Sequence, residues 1–116
     1  MKQQPTNQHR LMQLIMKRKQ QTDKFNELLD HIKKIHAAKN HDYATDQDSL
    51  SNLKLCRMLG LKPWIGVVVR LCDKFCRIAE FARKGELKVK SENIRDTFID
   101  MAVYSLLAII LMEEED

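Results

Sequence analysis

Carboxylates at a regular spacing stand out in the stretch from Ser91 to Met112. Glu92, Asp96 and Asp100 follow one another at four-residue steps. A helix turns by about 100° per residue, so this spacing stacks the three side chains along one side. The same side continues as apolar residues, and we expect the acids to lie at the mouth of a buried face, where they need cations. A divalent metal, Lys or Arg partners, or ordinary ion pairs to neighbouring helices would each supply them.

Composition predicts the class of fold that must position these acids. The 116 residues include only three Gly and two Pro, and they are rich in residues that favour helix. This length suits one domain with one core. We therefore expect an all-α fold, a compact helical bundle of four to five helices that is completed by oligomerisation.

Capping residues and apolar periodicity predict where the helices lie. The expected elements are helices at Gln8–Gln20, from Thr22 or Asp23 to Lys39, at Ser49–Leu59, at Pro63–Lys84 and at Ser91–Met112, with a loop at Asn40–Asp48. Asp48 and Ser91 are the expected caps of the helices that follow them. Gly60 and Gly85 are expected to end the helices Ser49–Leu59 and Pro63–Lys84. The short connector Gly85–Lys90 favours antiparallel packing of the last two helices. That arrangement brings cations at 70, 74, 77, 83 and 84 toward Glu92 and Asp96, or toward a phosphate held between them.

Charge is uneven along the chain. Residues 1–22 hold five basic side chains and no acid, whereas the last four residues are all acidic. We treat residues 1–22 as a basic N-terminal segment, a helical arm separate from a domain at residues 23–116. The arm is expected to pack on the domain or on a second subunit, and the alternative is a basic amphipathic arm for nucleic acid or an anionic membrane.

Cysteine content indicates the compartment. Three cysteines, Cys56, Cys72 and Cys76, cannot all pair within one chain, and no four-ligand zinc spacing occurs. Reduced thiols and a cytoplasmic location are therefore expected. The apolar run Met101–Met112 is too short to span a bilayer, so we interpret it as a buried core helix and expect no membrane partner.

Several motifs resemble the phage and bacterial family called nucleotide-modification-associated domain. The resemblance covers roughly residues 25–114. It includes a KNxDY loop followed by an Asp and an Asn, a DKxxR helix, and a Ser-Glu start that leads into a DTxxDxAxY helix. The matching positions are Lys39, Asn40, Asp42, Tyr43, Asp48, Asn52, Asp73, Lys74, Arg77, Ser91, Glu92, Asp96, Thr97, Asp100 and Tyr104.

The family is distantly similar to the MazG-like all-α nucleoside triphosphate pyrophosphatases, in which helix-borne carboxylates hold magnesium against a triphosphate. The resemblance implies an oligomeric, nucleotide-binding helical bundle in the cytoplasm of a bacterial host. This chain lacks the EExxE helix of the pyrophosphatases, and its acidic helix steps by four residues rather than three. Hydrolysis is therefore not implied by the motifs alone.

The enzymatic hypothesis is Mg²⁺-dependent cleavage of a phosphoanhydride, since metal ions neutralise charge and position water in such reactions. The predicted metal ligands are Asp42, Asp73, Glu92, Asp96 and Asp100. The predicted nucleotide ligands are Tyr43, Asn52, Lys54, Arg70, Lys74 and Arg77. In this hypothesis the tyrosine stacks on a base, the asparagine contacts the edge of that base, and the two arginines and Lys74 contact phosphate.

Two alternatives use other chemistry. In the first, the same pocket sequesters or senses a nucleotide without hydrolysing it, including a signalling nucleotide used in antiphage defence. In the second, the chain is a nucleic-acid-binding or assembly protein that acts through its basic arm, although the arm has too few aromatic residues for a stacking platform.

Overall fold

A computed structural model describes residues 4, 6–43, 50–85 and 93–115, and of residues 39–43 it describes the backbone alone. The elements are α1 (Asn7–Tyr43), a 3₁₀ helix (Ser51–Leu59), α2 (Pro63–Lys84) and α3 (Ile94–Glu115). Throughout these ranges the regular structure is helical, which confirms the all-α class.

Helix α1 is one continuous helix of 37 residues. The prediction of two helices with a break near Thr22 is wrong. Thr22 does not cap a new helix, because its hydroxyl donates a hydrogen bond to the carbonyl of Arg18 at 3.0 Å, one turn back in the same helix. The start is capped by Thr6, whose hydroxyl accepts the backbone N–H of His9 at 3.2 Å.

The start of the loop predicted at Asn40–Asp48 is wrong, because α1 continues to Tyr43. Residues 40–43 continue α1, and the whole of α1 from Asn7 to Tyr43 contains no Gly or Pro that would end a helix. Residues 44–49, including the predicted cap Asp48, lie outside the described residues.

The chain divides into two units after Ile35. The first unit contains the N-terminal part of α1, with Leu11, Leu14 and Ile15 all more than half exposed. The second unit contains the C-terminal end of α1 from His36, together with the 3₁₀ helix, α2 and α3. The 3₁₀ helix and α3 both pack on α2. The compact packing expected of a bundle is therefore found in the second unit, and the proposed boundary between residues 22 and 23 stays a prediction.

The helix predicted at Ser49–Leu59 exists, but it is a 3₁₀ helix and it begins at Ser51. Gly60 ends it as predicted, in the left-handed region at φ 77°. There the backbone N–H of Gly60 bonds to the carbonyl of Arg57 at 3.0 Å. Other residues rarely adopt this conformation, which explains the glycine.

Helix α2 has the predicted bounds, Pro63–Lys84. Pro63 occupies the first turn, where its missing N–H costs no hydrogen bond. Gly85 ends the helix, and its backbone N–H bonds to the carbonyl of Phe81 at 2.7 Å. Both boundaries depend on local chemistry, and both predictions are confirmed.

Helix α3 begins at Ile94, three residues later than predicted. Its cap is Asn93, whose side-chain oxygen accepts the backbone N–H of Asp96 at 2.8 Å. The prediction that Ser91 caps the helix is therefore wrong. Glu92 precedes the helix and lies outside the described residues, so the helix carries two of the three evenly spaced carboxylates, Asp96 and Asp100.

The core of the second unit joins the 3₁₀ helix, α2 and α3. Five buried side chains form it: Leu50, Leu53, Val67, Leu107 and Leu111. Trp64, Leu71, Val103, Tyr104 and Ala108 pack around them. This core fixes how α2 and α3 face each other, and it thereby positions the charged residues between them. In the ranges that the structure describes, no helix is both long enough and apolar enough to cross a membrane.

Candidate functional site

Two polar contacts join α2 to α3 along one seam. The Lys74 ammonium lies 2.9 Å from the Asp100 carboxylate, and the two side chains are only 19% and 25% exposed. One helical turn away, the Arg70 guanidinium lies over the Tyr104 ring, 5.8 Å from its centroid. This distance is within the range of a cation–π contact. The cations of α2 therefore meet a carboxylate and an aromatic ring on α3.

These contacts define the register of the helix pair. As the α2 partner advances from Arg70 to Lys74, the α3 partner goes back from Tyr104 to Asp100. The helices are therefore antiparallel, as the short connector predicted. The same register places Arg77, one turn further along α2, level with Thr97.

The side of α2 that faces the 3₁₀ helix continues as a row of charges. Gly66 marks this side, because a Cβ built on it would lie 2.8 Å from Cys56 Sγ in the 3₁₀ helix. Arg70, Asp73 and Arg77 follow Gly66 by 4, 7 and 11 residues. With 3.6 residues per turn, these intervals keep all three on the same side of α2.

Helix α3 presents charges toward the same side. The Glu114 carboxylate lies 2.8 Å from the Lys54 ammonium in the 3₁₀ helix, so Glu114 marks the side of α3 that faces this element. Asp96 and Asp100 precede Glu114 by 18 and 14 residues. Both intervals are close to a whole number of helical turns, so the two carboxylates lie on the same side of α3 as Glu114. We call the set Arg70, Asp73, Arg77, Asp96 and Asp100 the charged surface.

Burial differs among the members of the charged surface. Arg70, Asp73 and Asp96 are exposed, whereas Arg77 and Asp100 are half-buried. The arrangement places two guanidinium groups and three carboxylates in the same patch.

The predicted metal ligands do not form a cluster within the described ranges. Asp73 and Asp96 are exposed, and Asp100 pairs with Lys74. Within those ranges, no three His, Cys, Asp or Glu side chains are arranged to hold a metal ion. The side chain of Asp42 and all of Glu92 lie outside them. Metal binding at these residues stays a prediction.

The predicted nucleotide ligands fall in several places. Arg70, Lys74 and Arg77 lie together on α2. Asn52 is half-buried in the 3₁₀ helix, whereas Lys54 in the same element pairs with Glu114. The Tyr43 side chain lies outside the described residues. The structure thus brings the three α2 cations together and ties Lys54 to the end of α3.

Three residues have structural roles that the analysis of the sequence did not assign. Tyr104 lies under Arg70, and Asn93 caps α3. Thr97 is 3% exposed, and its hydroxyl donates to the Asn93 carbonyl at 3.4 Å. The four-residue step from Asp100 to Tyr104 could have indicated that both face α2.

The last turn of α2 carries a separate group of charges. Glu80 pairs with Arg83 and with Lys84, the latter at 3.0 Å. Hydrogen bonds from Lys84 and Arg83 hold the pKa of the Glu80 carboxyl below its usual value. Arg83 and Lys84 were expected to meet Glu92 and Asp96. They have a partner on their own helix, and Glu92 lies outside the described residues.

A double-mutant cycle tests the contribution of the Lys74–Asp100 pair. We expect Lys74→Ala and Asp100→Ala each to lower the free energy of unfolding, with a coupling of about 1–2 kcal/mol between them, because the pair is partly buried and its attraction is incompletely screened. Urea unfolding of the two single variants and the double variant measures this coupling. Additive single effects would show that the pair contributes nothing to the packing of α2 on α3.

Comparisons with known proteins give one match. A family model described as nucleotide modification associated domain 1 matches residues 39–112. These residues include the 3₁₀ helix, α2 and the whole charged surface. No curated protein and no solved structure matches significantly.

Proposed function

The chain belongs to the nucleotide modification associated domain 1 family, and on this premise we propose that it binds a phosphorylated nucleotide at the charged surface. The observation that carries the proposal is the row of cations on α2, with Arg70 and Arg77 on the side of the 3₁₀ helix and Lys74 at the seam. The planar guanidinium group matches the geometry of phosphate oxygens and can donate two parallel hydrogen bonds to them.

Contacts across the seam would prepare these cations for a ligand. Tyr104 supports the Arg70 guanidinium from one side. Asp100 holds the Lys74 ammonium at 2.9 Å, which limits its movement before a ligand arrives. A side chain that is already ordered loses less conformational entropy on binding, so such support strengthens binding without adding contacts to the ligand.

The role of Asp100 separates two versions of this function. As a metal ligand it would share its carboxylate between Lys74 and the metal, whereas as a partner of Lys74 it orients a phosphate-binding cation. We favour the second role and hence a protein that holds a nucleotide intact. Mg²⁺-dependent hydrolysis is the second candidate, because Asp73 and Asp96 are exposed carboxylates of the same surface, and such hard oxygen ligands suit Mg²⁺.

Calorimetric titration tests binding directly. The full chain is titrated with nucleoside triphosphates, monophosphates and cyclic oligonucleotides, once with Mg²⁺ and once with a chelator. We expect saturable binding of at least one class in the presence of chelator, with the ligand recovered intact by chromatography. A ligand that binds only with Mg²⁺ and is recovered cleaved would establish the hydrolytic version.

Arginine variants assign the binding to the charged surface. Arg77→Ala should raise Kd by about tenfold or more, because a charge-assisted hydrogen bond contributes about 1.5–3 kcal/mol. Arg83→Ala is the matched control, since Arg83 lies on the same helix but outside the charged surface. Equal affinity of the two variants would remove Arg77 from the site.

A further inference from the structure

We propose that residues Leu11–Leu28 of α1 pack antiparallel against the same segment of a second copy of this chain. The proposal concerns the N-terminal unit alone and does not depend on the nucleotide site. It rests on the spacing of apolar residues in α1, on their exposure, and on the distribution of charge along the helix.

The spacing is that of a coiled-coil seam. Six residues follow one another at alternating three- and four-residue steps: Leu11, Leu14, Arg18, Gln21, Phe25 and Leu28. These six residues occupy the a and d positions of successive heptads, which face a partner helix in a two-stranded coiled coil. The seam thus has two apolar residues at each end, and Arg18 and Gln21 are the polar residues at its centre.

From Leu11 to Leu28 the apolar residues of this seam are exposed, whereas Ile32, the next position of the same heptad pattern, is 9% exposed and ends the open face. Leu11, Leu14 and Phe25 are 60%, 59% and 63% exposed. Most helical stability in proteins comes from packing an apolar face rather than from intrinsic propensity. The first unit contains no second described element onto which this face could pack. A second copy supplies an identical seam.

The polar centre selects the antiparallel orientation. A parallel pair in register would place Arg18 against Arg18 of the second copy, two like charges at the interface. An antiparallel pair centred between residues 19 and 20 places Arg18 against Gln21 of the second copy, whose amide oxygen accepts a guanidinium hydrogen bond. The same arrangement sets Leu11 against Leu28 and Leu14 against Phe25, so apolar layers meet apolar layers.

Charge complementarity favours the same orientation. The first half of the segment and the adjoining turn carry Arg10, Lys17, Arg18 and Lys19 and no acid. The second half carries Asp23 and Glu27 beside one cation, Lys24, and Asp30 follows just beyond it. Antiparallel packing brings the basic half of one helix alongside the acidic half of the other.

Disulfide trapping in the full chain tests the orientation. In the antiparallel pair, Cys introduced at 11 and 28 meet across the interface, whereas two copies of residue 11 lie about 26 Å apart. The same separation within one helix prevents a disulfide inside a single chain. We expect Leu11→Cys/Leu28→Cys to form a covalent dimer on mild oxidation, with the linked peptides identified by mass spectrometry.

The outcomes of trapping separate the alternatives. An 11–28 linkage between chains supports the proposal. An 11–11 linkage in the single variant Leu11→Cys would indicate a parallel pair and would overturn it. Absence of both linkages would overturn it as well, and so would a monomer that co-sediments with phosphatidylserine vesicles or binds duplex DNA through this helix.

A matched pair of surface variants measures the contribution of the seam. Leu14 and Met16 are 59% and 56% exposed, but only Leu14 lies on the seam. We expect Leu14→Glu to weaken self-association of α1, followed as the yield of the 11–28 linkage at increasing dilution, by about a hundredfold or more, because two leucines leave each interface. Met16→Glu should leave the yield unchanged, and equal effects of the two substitutions would contradict the assigned face.

Discussion

Leu111→Ala is expected to lower the free energy of unfolding by about 3 kcal/mol. Leu111 is 1% exposed and belongs to the core shared by the 3₁₀ helix, α2 and α3. Removing its branched end takes away apolar contacts and leaves a cavity that the surrounding helices fill only in part. Urea or thermal unfolding followed by circular dichroism measures the change.

The next residue in the chain provides the control for this prediction. Met112 is 46% exposed, so Met112→Ala removes a side chain of similar size with a much smaller loss of buried area, and it should cost less than about 1 kcal/mol. If both variants lost the same stability, Leu111 would not be a central core residue. The comparison also tests the orientation of α3, because the two residues point in different directions from one helix.

Gly66→Leu is expected to destabilise the second unit by about 3 kcal/mol through overpacking. A Cβ at this position would lie 2.8 Å from Cys56 Sγ and 3.3 Å from Cys56 Cβ. A longer side chain would have to push the 3₁₀ helix away from α2 and expose core residues such as Leu53. The control is Val69→Leu on the exposed side of α2, which should change stability by less than about 0.5 kcal/mol.

A smaller substitution identifies the contact that is responsible. Gly66→Ala gains about 1 kcal/mol of helix propensity, but it places a methyl group against the Cys56 sulfur. Without that sulfur the methyl group no longer meets a close contact, and the gain in helix propensity should appear as stability. Gly66→Ala/Cys56→Ala should therefore be more stable than Cys56→Ala alone. If Gly66→Ala changed the free energy of unfolding equally with and without the sulfur, contact with Cys56 would not be the reason for a glycine at position 66.

The proposed nucleotide site depends on the same helix packing that these stability variants alter. The charged surface is built on α2 and α3, and the core around Leu111 maintains the spacing of these helices. Variants such as Leu111→Ala should therefore be compared with the arginine variants only under conditions in which both remain folded.

The sequence determined those features that depend on nearest neighbours along the chain. A scarcity of Gly and Pro indicated an all-α fold, and the structure confirms it. Pro63 and Gly85 marked both ends of α2, and Gly60 marked the end of the 3₁₀ helix. These residues act through their own backbone conformation, so their effect does not require knowledge of distant contacts.

Capping residues were less decisive, because several candidates for each helix start have similar chemistry. Ser91 and Asn93 can both cap a helix, and Thr22 can either cap a helix or bond within one. The structure uses Asn93 for α3 and keeps Thr22 inside α1. The energetic difference between such alternatives is about 1 kcal/mol, which packing elsewhere easily outweighs.

The tertiary structure alone decided which charges meet. Spacing placed Asp96 and Asp100 on one side of a helix and Arg70, Lys74 and Arg77 on another, but it did not determine the register between the two helices. That register follows from how Val67, Leu107 and Leu111 pack in the shared core. It pairs Lys74 with Asp100 and sets Arg70 over Tyr104, because interlocking apolar side chains fix the relative position of two helices more strongly than partly solvated charges do.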